Sequence, residues 1–509
     1  MGTIEKIANE FFQTTGSSFP VVSASDEFYY FPQVQSEPKN WYCWDRFSKE
    51  FIIDFSSKLS QWENQLLQIT CATHEEIIDQ QTLIQSIVTL REYLTEIKAW
   101  QKQPSLYLSI ACIGMAETFT AQDKEARFCR AKTLPSFFTD AIQNLKTVPF
   151  IFQEIGIQMI QDVRHYFLGL MKSIPDMKNT LMALDCFESH IKQLPVLDKF
   201  LLPQSLIHRV VNFHMNYQMD IQDVIQLVDH EIERNTTLLK KESYQFAKTY
   251  NWQEAYEHIP FPNIAQSGLI QFYQTEIKRL ESHCIQNGFI SNELANQSPV
   301  TVKPVPDYLS AIRTASSYSI SPLHPPCGGH FYIIRADDPN ETKQGYHREY
   351  KQLSAHETYP GHHLLDTMRW QLVKPIRRPI ERPVFYEGWA CFSESLMEIT
   401  GYYDTPYDRL ILARRRLWRA IRGKIDVELQ TGKIDLLEAA NKLSQTGIPK
   451  TEAIQIVKKY ALNPAYQLCY TIGYCQIMKL FETHGYQTIK PFVSQVLSQG
   501  EICFSLSRF

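Results

Sequence analysis

The spacing of apolar residues along the first 290 positions predicts a chain built mainly from α-helices. Two stripes advance in steps of three and four, the spacing of one helical face: Leu83, Ile87, Leu90, Leu94, Ile97 and, later, Ile221, Ile225, Val228, Ile232. Such stripes face a protein core, so no chemistry is assigned to them. The chain has only 19 glycines in 509 residues, which favours helices over many tight β-turns.

A proline-rich stretch at residues 298–307 (SPVTVKPVPD) predicts an extended connection between two regions. We therefore expect a helical N-terminal region over residues 1–297 and a catalytic region over residues 298–509. Just beyond the connection, residues 330–334 (HFYII) form the best strand candidate. Two interpretations of this strand stay open: an edge strand that pairs with an extended peptide, or a buried strand without a ligand.

Charge and composition narrow the function classes. The formal charge of −4 and the pI near 6.4 argue against a nucleic-acid partner. The longest apolar run, residues 106–116, is too short to span a bilayer, so no membrane partner is expected. The polar N-terminus does not resemble a signal peptide, and eleven cysteines lie scattered without a paired framework. These features predict a cytoplasmic protein with reduced thiols.

The segment His356-Glu357-Thr358-Tyr359-Pro360-Gly361-His362-His363 carries the strongest chemical signal. A zinc hydrolase needs histidine or carboxylate ligands, an open coordination position and a carboxylate beside the water. In the common H-E-x-x-H helix the two histidines are four residues apart. Here that fourth position is Pro360, so the second ligand has to be His362 or His363.

Helix geometry decides whether either histidine can join His356 on one metal. In a straight helix the sixth position points roughly 120° away, and the seventh lies about 10.5 Å further along the axis. A local widening or bulge of the helix at Tyr359-Pro360-Gly361 would place one of these two histidines on the same side as His356. The alternative is a proline-broken helix that ends in exposed histidines.

A third ligand is predicted at Glu387, 31 residues after His356. The small and aromatic neighbours Gly388-Trp389-Ala390 indicate close packing around this glutamate. Glu394, two turns later on the same helical face, is expected to support a histidine through a hydrogen bond. The alternative is a solvent-facing acidic stripe that continues to Glu398.

Together these motifs resemble a bacterial zincin-like, gluzincin-related family of unassigned function. Arg419-Ala420-Ile421-Arg422 with Asp426, and Pro464 with Tyr470 and Gly473, are similar to further motifs of that family. The resemblance covers about residues 320–480. It implies a large, mainly α, metallopeptidase-like fold with a small β-sheet next to the zinc-site helices and one Zn²⁺ per chain. Leu365 departs from the family pattern, which bears on substrate preference.

Roles for the remaining candidates follow from hydrolase chemistry. Glu357 is the expected general base, and Tyr470 is the expected donor to the oxyanion, with Tyr474 and His347 as weaker candidates. Arg419 and Arg422 share a face with Arg415. They either bind a substrate carboxylate or form structural ion pairs, as Arg422 would with Asp426.

The leading hypothesis is a zinc-dependent hydrolase, most specifically a metallopeptidase that acts on a peptide or small amide substrate. One alternative is a zinc hydrolase of a non-peptide amide or ester. The other is a helical scaffold with a vestigial metal site. A cysteine hydrolase is disfavoured because no cysteine has an obvious histidine partner in the sequence.

Overall fold

The computed structural model describes residues 2–34, 38–120, 122–264, 268–310, 316–320, 328–334, 345–484 and 489–507. Its architecture is mainly α, as the sequence predicts. The helices of the N-terminal part are α1 Thr3–Ser18, α2 Lys49–Leu67, α3 His74–Glu92, α4 Ala99–Lys102, α5 Pro104–Thr120, α6 Lys124–Asn144, α7 Phe150–Met171, α8 Met177–Gln193, α9 Gln204–Arg209, α10 Ile221–Ala247, α11 Trp252–Glu257, α12 Gly268–Gln286 and α13 Asn292–Gln297.

The helices of the C-terminal part frame the candidate site. They are α14 Asp307–Ser310, α15 Tyr350–Glu357, α16 His362–Arg369, α17 Pro383–Ile399, α18 Asp408–Gln430, α19 Leu436–Ser444, α20 Lys450–Tyr460, α21 Cys469–His484 and α22 Ile489–Gln499. None of the described helices is both long enough and apolar enough to cross a membrane.

The predicted apolar stripes lie on buried helix faces. Leu83, Ile87 and Leu90 of α3 are buried, and the stripe continues through Leu94 and Ile97 in a π-helical turn over Tyr93–Ile97. Thr73 and Glu76 form a capping box that fixes the start of α3. The second stripe lies on α10, which Asp220 caps at its N-terminus.

Two small sheets complete the secondary structure. Strands β1 Val148–Pro149 and β2 Val196–Leu197 form a parallel pair. The second sheet has the order β3-β5-β4, with β3 Val300–Pro304, β4 Ser317–Ile320 and β5 Gly329–Ile333. β5 pairs with β3 in parallel and with β4 in antiparallel register, Tyr318 opposite Phe331.

This strand order answers the question left open for residues 330–334. The interpretation as an edge strand is wrong, because β5 has a hydrogen-bonded neighbour on each side. The edge that faces the candidate site belongs to β4 instead. The proline-rich connection at residues 298–307 contributes β3 to the same sheet.

Two large hydrophobic clusters form the core. The first spans the chain from Ile4 to Ile472, and it packs Val384, Ala420 and Leu468 together with side chains of the N-terminal helices. The second joins α12 and the three-stranded sheet to α15, α16, α17, α21 and α22. Apolar packing therefore crosses the boundary expected at residue 298, and the division into two regions stays a prediction.

Helices α17 and α21 cross at a pair of glycines. A Cβ atom on Gly388 would lie 2.5 Å from the backbone of Gly473, and one on Gly473 would lie 1.9 Å from the carbonyl oxygen of Val384. Only glycine permits this backbone approach. The crossing brings Glu387 of α17 next to the residues that precede and begin α21.

The N-terminal loop, residues 23–34, projects from the helical part against the C-terminal part. The backbone amide of Val34 donates to the carbonyl of Ser23 at 2.8 Å and closes the base of the loop. Gln33 fixes it in place: its backbone amide donates to Pro379 at 2.6 Å, its side-chain amide donates to Glu381 at 2.6 Å, and its side-chain oxygen accepts from Arg369 at 2.7 Å.

Candidate metal centre

The H-E motif lies at a break between two helices. Helix α15 ends at Glu357 and α16 begins at His362, so the two histidines belong to different helices. The prediction of a bulge within one helix is therefore wrong; a turn at residues 358–361, with a cis Tyr359–Pro360 peptide, takes its place. Gly361 permits the turn because a Cβ there would lie 1.8 Å from the carbonyl oxygen of His356.

Hydrogen bonds from the neighbouring helix α17 hold the turn. The carbonyl of Pro360 accepts from the indole nitrogen of Trp389 at 2.8 Å and from the hydroxyl of Ser393 at 3.2 Å. Trp389 is completely buried. The tryptophan that signalled close packing in the sequence thus fixes the turn that separates the histidines.

Three predicted ligand atoms converge behind this turn. The Nε2 atoms of His356 and His362 lie 3.5 Å and 3.4 Å from Oε2 of Glu387. One donor atom from each residue lies within 4.8 Å of the other two, and all three residues are buried. We call His356, His362 and Glu387 the metal cluster.

The two histidine–glutamate distances in the metal cluster suit a tetrahedral zinc ion. Zinc–ligand bonds of about 2.0–2.2 Å place two ligand atoms roughly 3.3–3.5 Å apart around a tetrahedral ion. Oε2 of Glu387 is buried and faces both imidazole nitrogens, at 3.5 and 3.4 Å. A buried carboxylate oxygen facing two imidazole nitrogens is the donor arrangement that a cation would complete.

His363 points away from the metal cluster. Its Nε2 lies 2.8 Å from the carbonyl of Ser298 and 3.2 Å from the hydroxyl of Tyr359, and its Nδ1 lies 3.2 Å from the hydroxyl of Tyr318. Burial lowers its pKa to about 4. The assignment of His363 as a metal ligand is therefore corrected: His362 is the second histidine of the cluster.

Further side chains orient the ligands. Glu394 lies 3.0 Å from Nδ1 of His356, as the sequence predicts for a supporting carboxylate. The hydroxyl of Tyr466 donates to Oε1 of Glu387 at 3.0 Å. Burial and the nearby carboxylate of Glu387 raise the pKa of Tyr470. The ring of Tyr386 stacks on His362 with centroids 4.1 Å apart.

Burial and polar contacts act in opposite directions on the pKa values of Glu387 and Glu394. Burial alone would raise the pKa of Glu387, but hydrogen bonds with His356 and His362 hold it well below its usual range. Burial acts the same way on Glu394, whose pKa is held low by Arg415 and Arg419. Both carboxylates are therefore ionised, and the charge of Glu394 is compensated by the two arginines.

Glu357, the predicted base, is fixed against the edge of β4. Its Oε2 accepts from the backbone amide of Tyr318 at 2.7 Å, and the residue is 8% exposed. Because Glu357 directly follows His356 at the end of α15, the same helix end presents a ligand and a carboxylate. The contact with β4 places the small sheet beside the metal cluster, as the sequence predicts.

The predicted arginines form an ion network with Glu394. Arg415 donates to both oxygens of Glu394 at 3.0 Å, and Arg419 donates to the same two oxygens at 3.1 and 2.5 Å. The guanidinium of Arg419 also lies 3.3 Å from Nδ1 of His356. These contacts place Arg419 behind a ligand, and the binding of a substrate carboxylate by Arg419 stays a prediction.

Arg422 lies one turn further along α18. It donates to the side-chain oxygen of Gln467 and packs over the rings of Trp418 and Tyr470. Asp426 accepts instead from the backbone amides of Ala465 and Gln467, at 3.3 and 2.9 Å. A carboxylate-binding role for Arg422 also stays a prediction.

The weaker oxyanion candidates have other neighbours. Tyr474 packs under the guanidinium of Arg416, and Nδ1 of His347 lies 2.9 Å from the hydroxyl of Tyr273. The sequence reasoning missed Tyr466, which precedes α21 in a short 3₁₀ turn. In the sequence, only its position four residues before Tyr470 could have pointed to it. Four residues place two side chains on one face only in a regular α-helix, and Tyr466 lies outside one.

A cavity of about 360 Å³ lies beside the N-terminal loop, and none of His356, His362 and Glu387 lines it. The ring of Tyr29, on the N-terminal loop, lines this cavity and lies 5.1 Å from the ring of Tyr466. Tyr466 in turn contacts Glu387. The volume falls in the range of small-molecule sites, about 300–1,000 Å³.

The fold and the cluster define a mainly α-helical protein with a buried two-histidine, one-glutamate centre. A family model described as "Bacterial protein of unknown function (DUF885)" matches residues 205–506, more than half of the chain. The chain therefore belongs to this bacterial family. No curated protein is found to match the sequence.

Two solved structures share the fold over nearly the whole chain. One is a putative lipoprotein of unknown function from Shewanella oneidensis, with a TM-score of 0.75, 16% identity and 99% of each chain covered. The other is a putative lipoprotein from Colwellia psychrerythraea, with a TM-score of 0.79, 16% identity, and 99% of this chain and 98% of that chain covered. At this identity the likeness shows the fold alone.

These comparisons correct the family expectation. The resemblance to gluzincin-related proteins is wrong as an assignment, because the matching family and both solved structures are described without any such relationship. The physical reason lies in the motif: the proline that replaces the fourth-position histidine ends the helix, whereas the H-E-x-x-H pattern needs one continuous helix.

Proposed function

We propose that this protein is a zinc-dependent hydrolase that cleaves a peptide or a related amide bond. The observation that carries the proposal is the convergence of two imidazole nitrogens on one buried carboxylate oxygen, with Glu357 directly after His356 in the chain. Zinc held there would supply a Lewis acid that polarises a carbonyl and lowers the pKa of a water toward about 7.

The protein side chains supply the remaining steps. Glu357 accepts a proton from the attacking water and passes it to the leaving amine, and its hydrogen bond from Tyr318 holds the carboxylate in place. Tyr470, with its hydroxyl beside Glu387, stabilises the negative charge that develops on the substrate oxygen. Glu394 keeps the ring of His356 in the orientation that presents Nε2.

The first test is the metal content of the purified protein. We expect about one zinc per chain in wild type and loss of that zinc in His356→Ala, because one of three ligands is gone. His165→Ala, which removes an exposed histidine on α7, is the matched control. Wild-type protein without stoichiometric metal would instead favour a scaffold with a vestigial site.

The second test is a peptide-library cleavage screen. Glu357→Gln keeps the shape of the side chain but removes the base, so we expect zinc content to stay unchanged and turnover to fall by about 10²–10⁴-fold. Full activity in this variant would refute the assigned base. Hydrolysis of esters or non-peptide amides without peptide cleavage would select the alternative hydrolase.

Inhibitors separate the proposal from a cysteine hydrolase. We expect a chelator to abolish activity and thiol alkylation to leave it intact. The opposite pattern would contradict the metal-dependent proposal.

The cytoplasmic location expected from the sequence stays a prediction. The two similar structures are named putative lipoproteins, a description that points to the cell envelope for those proteins. Fractionation of cells that express the native gene distinguishes the two locations: recovery with the envelope would contradict the cytoplasmic prediction.

A further inference from the structure

A small cavity of about 40 Å³ lies where the N-terminal loop meets α3 and the start of α17. A further wall comes from the π-helical turn Val210–His214. The polar and aromatic residues that line the cavity include Tyr29, Tyr30, Thr89, His214, Glu381 and Arg382. We call this cavity the arginine pocket.

Arg382 is buried in the wall of the arginine pocket without a direct partner for its charge. The residue is 5% exposed, and its Nε is buried and has no hydrogen-bond partner among the described residues. Its guanidinium forms no ion pair within the described part of the chain either. Burial lowers its pKa to about 10, so the side chain stays charged near pH 7. Because arginines are rarely buried unless they are paired, this guanidinium indicates a missing anion.

Two carboxylates near Arg382 have other partners. The guanidinium of Arg369 lies 3.4 Å from Glu381 and 3.5 Å from Glu501. Glu381 also accepts from the side chain of Gln33 at 2.6 Å. Burial raises the pKa of Glu501 to about 7, which reduces its negative charge near neutral pH. The positive charge of Arg382 is therefore left for a ligand.

The side chain is the part of Arg382 that can meet this ligand. The backbone amide donates to Glu501 at 2.7 Å, and the carbonyl accepts from the amides of Phe385 and Tyr386 at 2.9 and 2.8 Å. Both polar groups of the backbone are thus occupied. Pro383, the first residue of α17, also lines the pocket. The pocket therefore lies at the positive end of this helix, which favours an anion further.

Two other lining residues carry polar atoms without partners. Oγ1 of Thr89 and Nδ1 of His214 are buried and have no hydrogen-bond partner among the residues that the structure describes. Nε2 of His214 lies 2.7 Å from Glu92, which fixes the ring. A hydroxyl can donate to an anion, and an imidazole nitrogen can do so when it is protonated.

The volume of the arginine pocket selects the class of anion. One water molecule needs roughly 10–15 Å³ of such space, so about 40 Å³ holds about three atoms of that size. A carboxylate group has three heavy atoms, whereas a phosphate group has five. A guanidinium also matches a carboxylate through two parallel hydrogen bonds.

We propose that the arginine pocket binds a carboxylate group through the side chain of Arg382. The carboxylate comes either from a small organic acid or from the C-terminus of a peptide. Tyr29 and Tyr30 line both this pocket and the large cavity, so aromatic rings lie beside the rest of such a ligand. No residue of the metal cluster lines the pocket, and binding there does not depend on the proposed hydrolysis.

The test measures binding of two matched pairs of probes by isothermal titration calorimetry. The protein is first freed of metal with a chelator, so that neither turnover nor metal coordination contributes. Benzoate and benzamide represent a small acid and its neutral amide; N-acetylated trialanine with a free or an amidated C-terminus represents a peptide end. In at least one pair we expect the carboxylate to bind about tenfold tighter than its amide.

Three variants of the same metal-free protein assign the preference to one side chain. Arg382→Gln should bring the two probes of that pair to within about twofold of each other, because the charge is gone. Arg382→Lys keeps the charge but loses the planar fork, and should reduce the preference to about threefold. Arg409→Gln changes an exposed arginine of α18 and should leave the preference intact.

Equal binding of acid and amide in both pairs overturns the carboxylate site, and so does a preference that Arg382→Gln leaves unchanged. If Arg382→Gln does not fold, Arg382→Lys decides in its place: a reduced preference supports the site, and an unchanged one overturns it. The pair that shows the preference identifies the source. Benzoate alone indicates a small acid, the peptide alone indicates a C-terminus, and both together indicate that the carboxylate group is sufficient.

Discussion

Tyr466 connects the ligand Glu387 to the N-terminal loop at the scale of single residues. Its hydroxyl donates to Oε1 of Glu387, which leaves Oε2 to face the two histidines. Its ring packs against Tyr29, which lines the large cavity. One side chain therefore contacts both a metal ligand and a residue of the loop.

We expect Tyr466→Phe to weaken zinc binding by about tenfold, because a hydrogen bond that orients a ligand is typically worth 10- to 100-fold in affinity. Competition with a chromophoric chelator measures this affinity. Tyr244→Phe, an exposed tyrosine on α10, is the control. Unchanged zinc affinity in Tyr466→Phe would show that Glu387 is held by other contacts.

Asp426 gives a pH-dependent contribution to stability. Burial raises its pKa to about 7, although the backbone amides of Gln467 and Ala465 oppose the shift. A carboxyl group with a raised folded-state pKa stabilises the protein fully below its unfolded pKa, near 4. That contribution is lost as pH rises through 7.

We therefore expect the free energy of unfolding of wild type to fall relative to that of Asp426→Asn as pH rises from 4 to 8, by on the order of 4 kcal/mol at most. Chemical denaturation at several pH values measures it. Asp54→Asn, an exposed change on α2, should show a constant difference. A constant difference for Asp426→Asn would mean that its pKa is not raised in the folded state.

At the scale of helices and strands, the sequence predicted periodic features well and long-range contacts poorly. The apolar stripes of α3 and α10 follow from spacing alone, because burial of one face needs no knowledge of the partner. Residue type and spacing also suggested that His356 and Glu387 lie close together and that Glu394 lies beside His356, and the structure has both contacts. The helix break did not follow from the sequence, because Trp389 and Ser393 hold the turn from another helix.

The choice between His362 and His363 depended on contacts that no local pattern reveals. Ser298 and Tyr318 bind the ring of His363 from the start of the sheet region, 65 and 45 residues earlier in the chain. The neighbouring His362 and His363 differ because these contacts occupy both ring nitrogens of His363. Sequence spacing alone treats both as equal candidates.

The close crossing of α17 and α21 predicts that a substitution at Gly388 destabilises the protein. Gly388→Ala would bring a methyl group within 2.5 Å of backbone atoms of Gly473, which cannot escape by changing a rotamer. We expect a loss of about 3 kcal/mol or more in stability and a loss of zinc, since Glu387 precedes the substituted residue. Thermal denaturation followed by circular dichroism, with metal analysis, checks both.

Gly169→Ala is the matched control for that crossing. Gly169 lies within α7, and a Cβ there would meet no atom within 4 Å. We expect this substitution to be neutral or to stabilise the protein by about 0.5–1 kcal/mol, because alanine has the higher helix propensity. Equal behaviour of the two variants would contradict the close approach at Gly388.

At the scale of the whole molecule, the core joins parts of the chain that the sequence separates. Val384, Ala420 and Leu468, which lie near the metal cluster in sequence, pack with side chains of the first helices. Isolated fragments would expose this apolar surface to water. The family model itself begins at residue 205, inside the N-terminal region expected from the sequence.

We expect the intact chain to unfold in one cooperative transition, and fragments 1–297 and 298–509 to lack cooperative unfolding when expressed separately. Calorimetry and circular dichroism measure these transitions. Native-like melting of either fragment would support two independent regions instead.

The position of the N-terminal loop has a consequence for diversity among relatives. The loop precedes the residues that the family model matches, yet its Tyr29 lines the large cavity and contacts Tyr466, which donates to Glu387. If the proposed function holds, we expect insertions or exchanges at residues 24–32 to reshape the large cavity while His356, His362 and Glu387 stay unchanged. Relatives could then differ in what this cavity binds and still share the same metal cluster.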